Sequence, residues 1–278
     1  MNEFNFNSIS PIDGRYFEKT KVLNKYFSEK ALMCYRLKVE IEYFISLCKI
    51  GIPQLEGFES KKFDELRKIY LKFSNDDATQ IKEIERITNH DVKAVEYFIK
   101  QKFDALNITK YKEFIHFGLT SQDINNTAIP LSIKDFIVEV YVPKLNAILF
   151  EINLKSEELK DITIISRTHG QPASPTKLGK EFKVFWTRIN NQLSTLKGIP
   201  NSAKFAGAVG NFNAHHVAYP NIDWKEFSQN FIENKLNLNY SFPTTQIEHY
   251  DSFAALCDNC RRINNILLDM CIDIWTYI

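Results

Sequence analysis

The chain has 278 residues, 44% of them hydrophobic and 25% charged, with a formal net charge of +1. Such a length points to about two domains, and such a balance buries a substantial core and excludes a disordered chain. Without a basic stripe the chain is not patterned for nucleic acid, Met1 to Ser10 has no signal-peptide run, and no stretch approaches the ~18 apolar residues of a membrane span, so a soluble, cytoplasmic protein is expected.

Most of the chain reads as helix. Lys21 to Ile50 predicts one amphipathic helix, closed by Gly51 and Pro53. Shorter helices are expected over Lys61 to Phe73, Asp77 to Ile87 and Val92 to Leu106. A long pattern runs from Ser121 to Leu159, with kinks expected at Pro130 and Pro143. The clearest helix spans Ser174 to Lys197. Ser174 suits an N-cap and Pro175 the first helical position. Leu178, Phe182, Phe185, Ile189, Leu193 and Leu196 recur at spacings of three and four, before Gly198 and Pro200 end the pattern.

Trp224 to Lys235 predicts another helix. The last begins near Asp251, with Phe253, Leu256, Cys260, Ile263, Leu267, Met270, Ile274 and Tyr277 on one stripe. That stripe reaches Ile278 without Gly, Pro or a basic last turn, and a truncated chain is therefore expected. Strand signals are poor: Phe205 to Val209 is one short candidate, and Gly207 to Gly210 reads as a turn, since no Gly-Lys-Ser/Thr follows it. The expected architecture is all-α, with a small helical domain over 1–114 and part of a long-helix bundle over 115–278. Apolar stripes this long also imply completion of the bundle by other subunits, a homo-oligomer.

Five cysteines without a signal peptide do not form a disulfide framework. Cys257 and Cys260 have C-x-x-C spacing but lie inside a helical pattern, and are expected to be core cysteines on one helix face. No metal-ligand spacing and no cofactor fingerprint occurs, so neither a metal nor a cofactor is expected. His215 and His216, being adjacent, are read as structural or surface groups.

Polar residues collect in five blocks: Ser10 to Tyr16, Thr88 to Asp91, His116 to Asp123, Arg167 to Ala173, and Thr244 to Glu248. Thr120 and Ser121 open the longest helical pattern, where unpaired amides and two hydroxyls could hold a carboxylate; plain N-capping by Ser121 is the competing reading. His169, between Thr168 and Gly170, is either a general acid or base or a simple hydrogen-bonding group. Arg15 follows an Asp-Gly turn and could pair with phosphate or carboxylate; a surface arginine is the alternative. Capping by Asn89 or Asp91 would explain those two residues but not His90. Together the blocks describe a site for a small anionic substrate, with several imidazoles.

The blocks Ser-Pro-Ile-Asp-Gly-Arg-Tyr, Thr-Asn-His-Asp, Thr-Ser-Gln-Asp-Ile-Asn, Arg-Thr-His-Gly-Gln-Pro-Ala and Thr-Thr-Gln-Ile-Glu resemble, in order and spacing, the bacterial adenylosuccinate lyases of the fumarase/aspartase superfamily. The resemblance implies that superfamily's all-α fold and a homotetramer whose sites draw on three subunits. It implies elimination of fumarate from adenylosuccinate, giving AMP, and from the succinyl-carboxamide intermediate SAICAR in purine biosynthesis. It makes His169 the general acid. Thr120 and Ser121 become binders of the succinyl carboxylates, and Arg15 and Tyr16 contacts to the nucleotide end. Asn89, His90 and Asp91 form a substrate-binding stretch, His116 lies near the phosphate, and Gln246 is a further contact. Family members also carry a Gly-Ser-Ser-x-Met-Pro-x-Lys-x-Asn-Pro loop whose serine acts as base. These 278 residues lack it, so little activity is expected of the chain alone. Two rival expectations are another fumarate-releasing lyase, such as one acting on argininosuccinate, and a non-catalytic helical fragment that binds nucleotide or assembles with a full-length copy.

Overall fold

The computed structural model describes residues 7–278. They form two compact units: the first runs to Phe136 and resumes over Ser202–His249, and the second comprises Ile137–Asn201 and Tyr250–Ile278.

The first unit begins with the short helices α1 (Phe17–Thr20) and α2 (Asn24–Phe27) and is built around α3 (Glu29–Leu47). The single helix expected over Lys21 to Ile50 is interrupted at Ser28, whose extended backbone and Oγ, accepting from the Ala31 amide, start α3 afresh. Nor is α3 amphipathic. Leu37, Val39, Ile41, Tyr43, Phe44, Ile45 and Leu47 are all buried and cover every face, because α2, α4 (Phe63–Leu71), α5 (Asn75–Thr88), α6 (Asp91–Ala105) and α7 (Ser121–Phe136) pack around it. Ser74 opens α5 in a reciprocal capping box with Asp77.

The helical pattern predicted from Ser121 to Leu159 is two helices. α7 continues through Pro130, and the ladder changes to a π turn over Ile137–Tyr141 before α8 (Val142–Glu158). Pro143 has no N–H to donate, and its ring crowds the carbonyl four residues back, inside that turn. The two units meet in sequence at this point. The division therefore differs from the expected 1–114 and 115–278: Phe205, Phe212, Trp224, Phe231 and Ile232 return the chain to the first unit's core. Within it, β3 (Ser202–Ala203) pairs in parallel with β4 (Asn239–Tyr240), and α10 (Asn213–Ala218) and α11 (Trp224–Asn230) lie between them in sequence.

In the second unit α9 (Leu178–Gly198) packs against both α8 and α12 (Asp251–Tyr277). Phe185, Ile189, Leu193 and Leu196 of the expected α9 stripe meet Leu145, Leu149, Ile152, Ile263 and Ile266. The helix start expected at Ser174 is instead strand. β1 (Thr163–Thr168) pairs antiparallel with β2 (Gln171–Lys177), placing Ile165 opposite Pro175. The β-branched run Thr163-Ile164-Ile165 favours the pleated form, and in a two-stranded hairpin Pro175 can sit at an edge without removing a ladder bond. Cys257 is exposed and Cys260 only partly buried, so the pair is not the expected core couple.

Candidate active site

Two of the five polar blocks, Thr88 to Asp91 and His116 to Asp123, are joined directly within the first unit, and a third, Thr244 to Glu248, is tied to the helix that the second one opens. α5 ends at Asn89, in the left-handed region at φ 51°, and α6 starts two residues later. The residue that caps α6 is neither Asn89 nor Asp91 but His90: its Nδ1 accepts the Lys93 amide at 3.2 Å. A ring nitrogen that accepts carries no proton, so in this arrangement the proton of a neutral His90 is on Nε2. Nε2 lies 3.3 Å from Ser121 Oγ, at the first residue of α7. Capping by Ser121, one of the two readings above, is thus not what its hydroxyl does. The cap comes from Asp123, whose Oδ2 accepts the Thr120 amide at 2.8 Å.

Arg36 on α3 fixes the two helix starts against each other. Its Nη2 donates to Asp91 Oδ2 at 2.6 Å and its Nε to Asn125 Oδ1 at 3.0 Å. Burial pushes the Asp91 carboxyl up, but the Arg36 charge and hydrogen bond outweigh it and hold Asp91 below its ordinary 3.8. Asp123 is wholly buried. Its Oδ1 accepts the Ala206 amide at 2.8 Å and the Gly207 amide at 3.2 Å, and pairs with Lys204 Nζ at 2.6 Å. The start of α7 is therefore anchored to the 204–207 loop by a buried ion pair. Burial, partly offset by Asp123, lowers the Lys204 ammonium below its ordinary 10.5.

His116 precedes α7 with its backbone at φ 59°, and Nδ1 meets Glu40 Oε1 of α3 at 2.5 Å. Burial disfavours the imidazolium, yet the Glu40 charge and hydrogen bond prevail and raise His116 above its ordinary 6.5. Tyr43 donates to the Phe117 carbonyl at 2.8 Å, which leaves its oxygen to accept from His215 Nε2 at 3.1 Å. His215 is buried and His216 exposed. Gly118, at φ 67°, lies so close to the His215 ring that a Cβ there would come within 2.6 Å of it. Gln246 is exposed, in a segment tied to α7 where the Glu248 amide donates to Asn126 Oδ1 at 2.9 Å.

Arg15 and Tyr16 are exposed on a turn in which the Tyr16 amide reaches the Pro11 carbonyl at 2.9 Å; the Arg15 guanidinium stands 5.5 Å from the Tyr16 ring centre. His169 belongs to the second unit. With Gly170 it makes the two-residue turn between β1 and β2, at φ 50° and 71°, the signature of a type I′ hairpin. Its side chain is exposed at the hairpin tip.

A family model described as lyase matches residues 14–278. The chain belongs to this lyase family. Among the relatives of this lyase-family chain is an adenylosuccinate lyase of Dictyostelium discoideum, 52% identical over 99% of the chain and 60% of the relative. Adenylosuccinate lyases of Legionella pneumophila (strain Corby) and Escherichia coli (strain K12) are 46% and 41% identical, over 98% and 100% of the chain. The chain spans 60–61% of the length of these relatives. Among solved structures, a fumarate lyase from Mesorhizobium sp. BNC1 superposes with a TM-score of 0.75 at 16% identity, covering 92% of this chain and 57% of that one. A β-carboxy-cis,cis-muconate cycloisomerase from Acinetobacter calcoaceticus gives a TM-score of 0.71 at 19% identity, with the same coverage. These likenesses place the lyase-family chain in the all-α, fumarase/aspartase-like fold.

Glu40, Arg36 and Lys204 were not singled out in the sequence. The available signal was four charges, Arg36, Lys38, Glu40 and Glu42, set inside the apolar run of α3, with Arg36 and Glu40 one helical turn apart.

Proposed function

We propose that these residues are the N-terminal share of an adenylosuccinate lyase, which eliminates fumarate from adenylosuccinate and from SAICAR. The observation that carries this reading is the likeness to relatives of that one name, at 41–52% identity along 98–100% of the chain. In the reaction a base takes a proton from the succinyl group. The C–N bond breaks, its electron pair leaves with the nitrogen, and an acid protonates that nitrogen.

His169 is the proposed acid, and its exposed place on a tight turn suits a proton donor presented to a substrate. Thr120 and Ser121 are the proposed binders of the succinyl carboxylates, where hydroxyls and an imidazole N–H converge on a helix start. Asn89, His90 and Asp91 complete that corner. Arg15 and Tyr16 contact the nucleotide end, His116 its phosphate, and Gln246 a further part of the substrate. The base is supplied by sequence outside these 278 residues. A cytoplasmic homotetramer is part of the same proposal. Leu268, Ile272 and Trp275 support it, forming an exposed apolar stripe on α12, 61%, 62% and 80% accessible.

The test compares this chain with a product extended to the length of its relatives, following fumarate release from adenylosuccinate and from argininosuccinate. The extended protein should turn over adenylosuccinate at about 1 s⁻¹ or faster, and the 278-residue chain should not. Turnover of argininosuccinate but not adenylosuccinate would overturn the substrate assignment. Ordinary turnover by the chain alone would overturn the need for a further base.

A further inference from the structure

Glu40 lies at the middle of α3 with its side chain wholly buried. Its Oε1 meets His116 Nδ1, and its Oε2 has no hydrogen-bond partner among the described residues. A buried carboxylate so thinly satisfied is costly unless a charge faces it. An ionised carboxylate can only accept, so His116 Nδ1 is the donor. Nε2, across the ring, has no hydrogen-bond partner among the described residues, and the side chain keeps 14% exposure.

The backbone that presents this ring is held tightly. His116 and Gly118 both have positive φ, the Phe117 carbonyl is held by Tyr43, and Gly118 abuts His215. A non-glycine residue kept at positive φ stays there only because its surroundings over-determine it. Two groups on α6 also act on the imidazole: Glu96 favours its charge and Lys93 opposes it. They largely offset each other, since Lys93 pairs with Glu96 at 2.7 Å and Lys100 reaches the same carboxylate at 3.0 Å. Glu40 is thus the one direct partner of the ring among the described residues.

We infer that Glu40 is a positioning residue, which grips His116 Nδ1–H from the buried side and leaves Nε2–H as a fixed donor for an oxyanion of the phosphate-monoester class. The inference rests on the substrate proposed above, to which it adds a reason why His116 suits an anion. Glu40 touches no substrate; it acts through the imidazole.

Two measurements test it. The first uses this chain without substrate: the His116 ring resonances, assigned with His116→Gln, are followed by NMR against pH and against added inorganic phosphate. The midpoint should lie above 6.5, and phosphate should shift the resonance while His116 is protonated. In Glu40→Gln the midpoint should fall by about one pH unit or more. A wild-type midpoint below 6.5 overturns the inference whether or not that variant folds.

The second uses the extended protein. Glu40→Gln should raise the KM for adenylosuccinate by roughly tenfold at neutral pH, the scale of exchanging a charged for a neutral hydrogen bond, with kcat nearly unchanged. The defect should shrink as pH falls and His116 protonates without help. Glu40→Asp, which keeps the charge, should recover the wild-type pH profile. An unchanged KM, or equal losses in Glu40→Gln and Glu40→Asp, would mean that Glu40 only packs. A failed substrate assignment would leave the NMR result standing, and a failed NMR result would leave that assignment standing, so the two failures are separable.

Discussion

Replacing Lys204 with methionine keeps the length and apolar stem of the side chain and removes only the ammonium. In the folded protein that ammonium is 2.6 Å from Asp123 Oδ1 and also donates to the Gly207 carbonyl at 2.6 Å, with both side chains of the pair fully buried. Breaking a buried pair from one side costs about 3–5 kcal/mol, because a charge is left uncompensated. Asp123 keeps three amide donors, from Thr120, Ala206 and Gly207, which favours the lower end of that range. The orphaned Gly207 carbonyl acts the other way, by about 1 kcal/mol or more. A loss of about 3–4 kcal/mol is expected, which at a urea slope of about 2 kcal/mol/M moves the midpoint down by roughly 1.5–2 M. Trp224 reports on the first unit alone, being fully buried there, once Trp186 and Trp275 of the second unit are changed to phenylalanine. Asp123→Asn, alone and combined with Lys204→Met, completes a double-mutant cycle, with an expected coupling of about 2 kcal/mol. A loss below about 1 kcal/mol for Lys204→Met, or simple additivity in the cycle, would refute the view that this pair anchors the start of α7.

Burial pushes His215 down to about 4 from its ordinary 6.5. Between those values the unfolded chain binds a proton that the folded one does not, so stability present above 6.5 is lost as pH falls toward 4. At about 1.4 kcal/mol per pH unit the loss amounts to roughly 3 kcal/mol, and unfolding curves of His215→Leu should lack that slope. His90→Ala should lose about 1 kcal/mol through the missing cap while His90→Asn retains it, and both should impair turnover in the extended protein; equal stabilities for the two variants, measured by urea titration, would contradict the capping role. Gly179→Ala places a Cβ within 2.2 Å of the Ser156 carbonyl, so thermal unfolding should show the second unit destabilised by about 1–3 kcal/mol and the first unit unchanged. Trp275→Glu with Ile272→Lys should shift the extended protein toward smaller species in sedimentation, and an unaltered tetramer would exclude that face from the interface.

Helix existence was legible because burying an apolar stripe imposes its period on the sequence. The α9 stripe from Phe182 to Leu196 and the α12 stripe both appear on helices, and Ser121 does begin α7. The polar blocks were legible for a related reason: Thr120, His90 and Asn89 interrupt helical patterns at positions where unpaired amides or positive φ demand them. The hairpin from Thr163 to Lys177 was misread at Ser174 and Pro175, since those residues suit a helix start as well as a strand edge. What separated the two was pairing with Ile165, a contact between residues ten positions apart in the chain.

The sequence by itself determined that most of the chain is helical and where polar chemistry collects, and no described helix is long and apolar enough to cross a membrane. Only the tertiary structure decided which helix is central, that Ser202–His249 returns to the first unit, and which charges meet inside it. Local propensity reports on neighbours a few residues away. The pairing of Glu40 with His116, or of Asp123 with Lys204, spans 76 and 81 positions, counted from the residue numbers. A charge inside an apolar run, such as Glu40, stands out locally, but its partner is set by which faces the core brings together.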